Sequence, residues 1–262
     1  MRRRTLLTIA DTLASAPAVA RRGPCADGEG IALQGVEVYR ADRRVLAISD
    51  LSLQERRIGL IGNNGSGKST LLRLMNGLLL PTHGQVTVRG LESRRHRKRL
   101  PAEVGFVFQN PDHQLIFPTV GEEIAFGLVE RGSTPVAAAA KARAILDEHG
   151  CSGWEDRAVA TLSGGQRQLV CVLAVIAPEP PIVLFDEPFA SLDLPTRMAF
   201  ARRLQALPQQ IVMASHDFTL FDNFDRVIWL DDGAIRADGP PAEILPDYLA
   251  FARTSAGIGG EA

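Results

Sequence analysis

Lysine is scarce in this 262-residue chain: Lys68, Lys98 and Lys141 are its only three, and arginine supplies the rest of 29 basic side chains. Against 30 acidic residues these leave a formal charge of -1. No overall field draws the chain to nucleic acid or an anionic membrane, and such a contact would need a local patch. Cysteine is sparse as well. Cys25, Cys151 and Cys171 lie far apart, with no CxxC pair and no zinc-type histidine spacing, so neither a disulfide framework nor a structural zinc site is expected. A reduced, cytosolic chain is the natural reading. Long apolar runs are missing too: Leu169 to Ala177 suits a buried helix segment but falls far short of the roughly 18 residues a membrane span needs. What is present is a 45% hydrophobic composition, enough for a sizeable core in one large domain or two closely packed lobes.

Arg2 to Arg4, an apolar stretch and Ala18-Val19-Ala20 have the outline of a secretory signal, but Asp11 and Thr12 break its apolar centre. Residues 1–29 are therefore expected to form a flexible extension, with the ordered domain over 30–245 and a C-terminal tail over 246–262. From Ile31 short apolar strands alternate with helical stretches. Strands are expected at Ile31 to Tyr39, Arg57 to Ile61, Gln85 to Val88, Val104 to Phe108, Ile182 to Phe185, Ile211 to Ala214 and Val227 to Leu230, and a helix from Lys68 to Gly77. A helical block beginning at Thr119 and running through Val136 to His149 reads as a subdomain, about 110–178, inserted in an α/β core. Glu92 to Arg99 holds five basic residues and a histidine, which a solvated loop explains.

Gly62-Asn63-Asn64-Gly65-Ser66-Gly67-Lys68-Ser69 fits G-x-x-x-x-G-K-[ST] between an apolar strand and a leucine-rich helix. Glycines let the backbone curl until successive N–H groups face one anion, the following helix adds its positive end, and Lys68 supplies a point charge for the β and γ phosphates. Ser69 offers a hydroxyl to Mg²⁺. A second cluster lies at Ile182-Val183-Leu184-Phe185-Asp186-Glu187, an apolar run that places two carboxylates at the C-terminal edge of a buried strand. Asp186 suits Mg²⁺ and Glu187 suits orienting or deprotonating an attacking water. In Leu162-Ser163-Gly164-Gly165-Gln166 a serine and two glycines open an apolar helix and form a second anion-receiving helix end.

With that pentapeptide 23 residues ahead of Asp186, the chain resembles the ABC ATPase family, whose defining motif reads LSGGQ and precedes its acidic strand. The resemblance spans roughly Ile31 to Leu245. It implies a P-loop ABC ATPase fold: an α/β core with a mainly parallel sheet, an antiparallel β-subdomain and a helical signature subdomain. It implies that ATP and Mg²⁺ are bound and ATP hydrolysed, with Thr70 and the segment from Ser163 to Gln166 joining the phosphate loop in holding ATP. It also implies that Tyr39 stacks on adenine, Gln109 senses Mg²⁺ and the transport partner, Ser191-Leu192-Asp193 forms a dimer-contacting loop, and His216 bonds the γ phosphate. Two copies, or one copy and a related ATPase, are expected to pair head to tail with nucleotide between one chain's Gly62 loop and the other's Ser163 segment.

Phe108-Gln109-Asn110-Pro111-Asp112-His113-Gln114-Leu115, with Pro118-Thr119-Val120, Ala125-Phe126-Gly127 and Met75-Asn76-Gly77, is similar to the energy-coupling-factor branch of ABC importers. That branch implies docking on a transmembrane coupling protein and a separate small membrane protein that captures the solute. Asp112 and Gln114 then fall where contacts with the coupling protein are expected, and the chain works as a peripheral subunit on the inner face of the cell membrane. Glu55 to Leu60 is most similar to the biotin-uptake members, with cobalt or nickel importers second and a soluble ATPase acting on ribosomes or DNA as the remaining alternative. No nucleic-acid partner is expected. Phe189 stands where the family usually has threonine or a smaller residue, and Cys171 to Ala177 is unusually apolar for the signature helix.

Overall fold

The computed structural model describes residues 30–189, 192 and 194–257. The expected extension over residues 1–29 lies outside them. In chain order the elements are strands β1 (Ile31–Arg40), β2 (Arg43–Leu53) and β3 (Arg57–Ile61), helix α1 (Lys68–Met75), strands β4 (His83–Val88) and β5 (Leu91–Glu92), short helix α2 (Leu100–Glu103) and strand β6 (Val104–Val107). Helices α3 (Val120–Glu130), α4 (Pro135–Glu148) and α5 (Gly164–Ile176), strand β7 (Ile182–Asp186) and helix α6 (Leu194–Ala206) follow. Strands β8 (Gln210–Ala214), β9 (Arg226–Asp231) and β10 (Ala234–Gly239) and helix α7 (Pro241–Gly257) complete the order. Two compact units result. One comprises Val107–Val183 and Pro188–Gln209, and the other the described residues through Phe106, Leu184–Glu187 and those from Gln210 onward.

The unit that carries the phosphate loop is built on a sheet of order β10-β9-β3-β8-β7-β6. β3 pairs in parallel with β8 and β9, and β10 closes the edge antiparallel to β9. Every residue of β3, β7 and β8 is buried. That is why these strands read as continuous Ile, Val and Leu runs without alternation: both faces are covered. A second, antiparallel sheet has the order β2-β1-β4-β5. Ile31, Leu33, Val36 and Val38 of β1 point into its buried face. The alternation slips once, at Gly35 with φ +56°, and resumes so that Tyr39, next after buried Val38, falls on the open face and is 41% exposed.

Several elements depart from the sequence pattern. β2 and β10 were not expected as strands. β10 has no buried residue, and the charges of β2 hide its alternation. The helix after the phosphate loop ends at Met75, with Asn76 as its C-cap, two residues before Gly77. α7 runs across the expected boundary at residue 246. Proline usually ends a helix, but Pro246 lies inside this one, where buried Ile244 and Tyr248 and the stacking of Trp229 on Tyr248 and Phe251 hold it to β9.

In the other unit the helical block divides into α3 and α4 around Gly132, whose φ is +92°. α3 and α5 both start with reciprocal capping boxes, Thr119 with Glu122 and Ser163 with Gln166, while Thr134 caps α4 ahead of Pro135. Burial accounts for part of the unusually apolar stretch Cys171 to Ala177: Cys171, Val172, Leu173 and Ala177 are enclosed, while Ala174, Val175 and Ile176 are half-buried. Phe189, unusual for the family, is 3% exposed and packs on Phe200 at 5.5 Å, so it fills core.

Candidate nucleotide site

The phosphate loop leaves the carboxyl end of β3, flanked on both sides by parallel strands. Gly62 takes φ +142°, and a Cβ there would run into the Leu230 carbonyl oxygen and come within 2.6 Å of Ser66 Oγ. At Gly67, φ +104°, a Cβ would meet Leu46 at 2.9 Å. Only glycine satisfies both the backbone and the space. Within this curl Ser66 N–H donates to the Asn63 carbonyl at 3.1 Å, and Leu71 N–H to that of Gly67 at 2.8 Å. The loop is stitched to the antiparallel sheet through Gly233, whose N–H donates to Ser66 O and whose carbonyl accepts from Ala47 N–H.

Lys68 is 6% exposed, and its Nζ donates to the carbonyls of Gly62 at 2.7 Å and Asn63 at 3.1 Å. Burial pushes its pKa down, against the pull of Glu187 and Asp186. Ser69 Oγ donates to Asp186 Oδ1 at 2.8 Å, so the first turn of α1 meets the last residue of β7. Beyond it, Glu187 adopts a left-handed backbone, φ +49°, and its N–H donates to Ala214 O at 3.0 Å. A non-glycine residue in this region stores strain on the order of 1 kcal/mol and fixes where the side chain aims. Glu187 Oε1 lies 3.0 Å from His216 Nε2 and 4.0 Å from Lys68 Nζ. His216 Nε2 is also 3.1 Å from Asn64 Oδ1 at the tip of the loop.

This unit therefore brings together Gly62 to Thr70, Asp186, Glu187 and His216, with Asn64 and His216 in contact across 152 positions of sequence. A polar cavity of about 400 Å³ lies along the loop, lined by Arg43, Arg44, Asn63 to Ser66 and Asp231 to Gly233. Tyr39 stands opposite Arg44, one of the lining residues, in the β1–β2 register. An exposed aromatic face, a cradle of N–H groups, a buried ammonium and a carboxylate bonded to an imidazole can together hold a base and a polyphosphate and orient water. The Asn64–His216 contact and a bond from Tyr248 to Asn63 had no local sequence signal.

The other unit holds Gln109 and the Ser163 segment. Ser163 Oγ accepts from Gln166 N–H at 3.3 Å, and Gln166 Oε1 accepts from Ser163 N–H at 3.0 Å. Gln109 is exposed. Just beyond it, Gln114 is pinned from both ends: its Oε1 accepts from Phe108 N–H and its Nε2 donates to Cys171 O, both at 3.1 Å. Asp112 pairs with Arg167 of α5 at 3.4 Å. The expected dimer contact at Asp193 lies outside the described residues.

The profile of the ABC transporter family matches residues 49–190, which contain the phosphate loop, Gln109, the Ser163 segment and Glu187. The chain belongs to the ABC transporter family. It is 46% identical to the biotin transport ATP-binding protein BioM of Rhodobacter capsulatus over 231 residues, 88% of this chain and 99% of that protein. To the protein of the same name from Rhizobium etli it is 39% identical over 202 residues, 77% of this chain and 90% of the other. Among solved structures, cbiO1 of Clostridium perfringens, part of the ABC transporter complex cbiONQ, shares the fold with a TM-score of 0.72 and 24% identity, covering 86% of this chain and 94% of that one. The expected P-loop ABC ATPase fold is borne out. As an ABC ATPase the chain binds ATP and hydrolyses it in a reaction coupled to transport. ATPases of this family act as dimers with membrane components. Among the described residues no helix is long and apolar enough to cross a membrane.

Proposed function

We propose that this ABC ATPase energises an importer of the energy-coupling-factor type that carries biotin. It works as a homodimer on the inner face of the cell membrane, beneath a transmembrane coupling protein and a small membrane protein that captures the solute. The observation that carries the reading is the 46% identity with a biotin transport ATP-binding protein over 99% of that protein's length. The likeness of Phe108 to Leu115 to the coupling segment of that branch supports it. Gln114 and Asp112 tie this segment to α5, so a push on it moves the Ser163 helix end.

In this reading Tyr39 stacks on adenine, and Gly62 to Thr70 wrap the phosphates with Lys68 against the β and γ groups. From the partner copy, Ser163 to Gln166 close over the γ phosphate, and Asp193 meets that copy's loop. Glu187 orients and deprotonates the attacking water, and His216 holds Glu187 and the γ phosphate in line. Ser69 Oγ and Asp186 Oδ1, 2.8 Å apart, are the hard oxygen donors Mg²⁺ accepts when phosphates and water complete its shell. Gln109 is the further residue assigned to it. Bound there, Mg²⁺ supplies charge neutralisation on the β and γ oxygens. Once the γ phosphate has left, the donors of the two copies no longer share an anion and the pair opens.

The test is uptake of labelled biotin by cells expressing the chain with its neighbouring membrane proteins, alongside Co²⁺ uptake. Biotin entry that depends on the chain is expected. Co²⁺ entry instead would replace the cargo assignment with the cobalt or nickel importer, and failure to co-purify with any membrane protein would overturn the transporter assembly itself.

A further inference from the structure

Tyr248 belongs to α7, more than 30 residues beyond His216 and 185 beyond Asn63. It is 4% exposed, and its surroundings converge on the nucleotide site from three directions. Its hydroxyl donates to Asn63 Oδ1 at 3.3 Å. Its ring meets Phe218 edge-on, with centroids 5.3 Å apart, and Phe218 opens the short turn that directly follows His216 and Asp217. The same ring meets Trp229 edge-on at 5.2 Å, and Trp229 is the register partner of Ile61, the last residue before the phosphate loop. Burial and the Asp231 charge push the phenol pKa up, so the hydroxyl keeps its proton and remains a donor.

Asn63 has two further duties: its carbonyl accepts from Lys68 Nζ and from Ser66 N–H. Its side chain is therefore a handle on the peptide that aims Lys68. We infer that Tyr248 is a positioning residue for ATP hydrolysis, its hydroxyl setting the phosphate loop through Asn63 and its ring setting the His216 turn through Phe218. α7 thereby becomes part of the nucleotide site instead of a tail appended to it. The inference rests on the phosphate-loop reading of Gly62 to Ser69, but not on the importer branch or its cargo.

The hydroxyl and the ring separate experimentally. Tyr248→Phe keeps the ring and removes only the donor, and the expected result is a three- to tenfold weaker Kd for Mg-ATP in the full-length chain, the worth of one neutral hydrogen bond. Asn63→Ala should weaken binding to a similar degree, and the double variant should be no worse than either single one. Tyr248→Leu should add a fall in kcat through the His216 turn, which Tyr248→Phe leaves largely in place. Phe251→Leu serves as the packing control: it loosens α7 against Trp229 and Arg236 and should lower Tm with the Mg-ATP Kd unchanged. An unchanged Kd in Tyr248→Phe, or losses that simply add in the double variant, would overturn the positioning role. A Phe251→Leu Kd shift as large as that of Tyr248→Phe would reduce Tyr248 to general packing. Should Lys68→Ala also leave the Kd unchanged, the phosphate-loop reading itself fails, which is a different outcome from the failure of Tyr248 alone.

Discussion

Replacing Glu187 by glutamine separates two effects that the structure sets in opposition. The side chain keeps its shape and can still bond His216, now 3.0 Å away, but it loses the charge that makes it a base. General-base losses of this kind cost about 10²- to 10⁴-fold in rate, so turnover should fall at least about a hundredfold. Binding should move the other way. Unit charges 4 Å apart attract by about 4 kcal/mol at an effective dielectric of 20, and Glu187 lies 4.0 Å from Lys68 Nζ, so in the resting site it competes with phosphate for the same ammonium. Glu187 is 17% exposed and salt screens the pair; the net gain on neutralising it is then on the order of 1 kcal/mol, or roughly fivefold tighter Mg-ATP. The assays are steady-state phosphate release and equilibrium binding of Mg-ATP on the same preparation. Turnover within tenfold of the unsubstituted chain would refute the base assignment, and weaker binding would refute the competition for Lys68.

Lys68→Ala removes the ammonium and its donations to Gly62 and Asn63; titration should show Mg-ATP affinity down at least about tenfold, since a hydrogen bond from a charged donor is worth about 1.5–3 kcal/mol. Ser163→Ala removes the N-cap of α5; urea unfolding should report a loss of about 1 kcal/mol. Cys151 is fully buried, and burial pushes its thiol up to about 11 from an ordinary 9. Between these values the unfolded chain has released a proton that the folded chain keeps, so stability falls as pH rises from 9 to 11, by roughly 2–3 kcal/mol from this group. Denaturant midpoints of Cys151→Ala should decline less steeply over that window, and an identical slope would contradict the assignment.

The site elements legible in the sequence are those whose chemistry is local. The glycines, lysine and serine of residues 62 to 69 sit on adjacent residues because one anion must be wrapped by successive N–H groups. The Ser163–Gln166 capping box likewise needs only four residues. β3, β7 and β8 were readable because burial on both faces leaves unbroken apolar runs. What stayed hidden is non-local. Nothing near Asn64 announces His216, 152 positions away, and nothing near Asn63 announces Tyr248. The same holds for α7, whose C-terminal half reads as a tail and whose apolar residues gain a purpose only once Trp229 lies beneath them. β10 was missed because an edge strand open to solvent has no buried residue to set up an alternation, and β2 because Asp50 and its neighbours interrupt the spacing of its four buried residues.

The Ser163 cap is a loose one: its hydroxyl oxygen stands 3.3 Å from the Gln166 N–H, near the outer limit of a useful bond. An external acceptor arriving at that helix end can take over the donor while the protein forfeits little. If this helix end closes over the γ phosphate as proposed, the grip is reversible by construction, firm while the oxyanion is present and quickly healed when it departs. A motor that must let go on every stroke is better served by such a swap than by a tighter clasp.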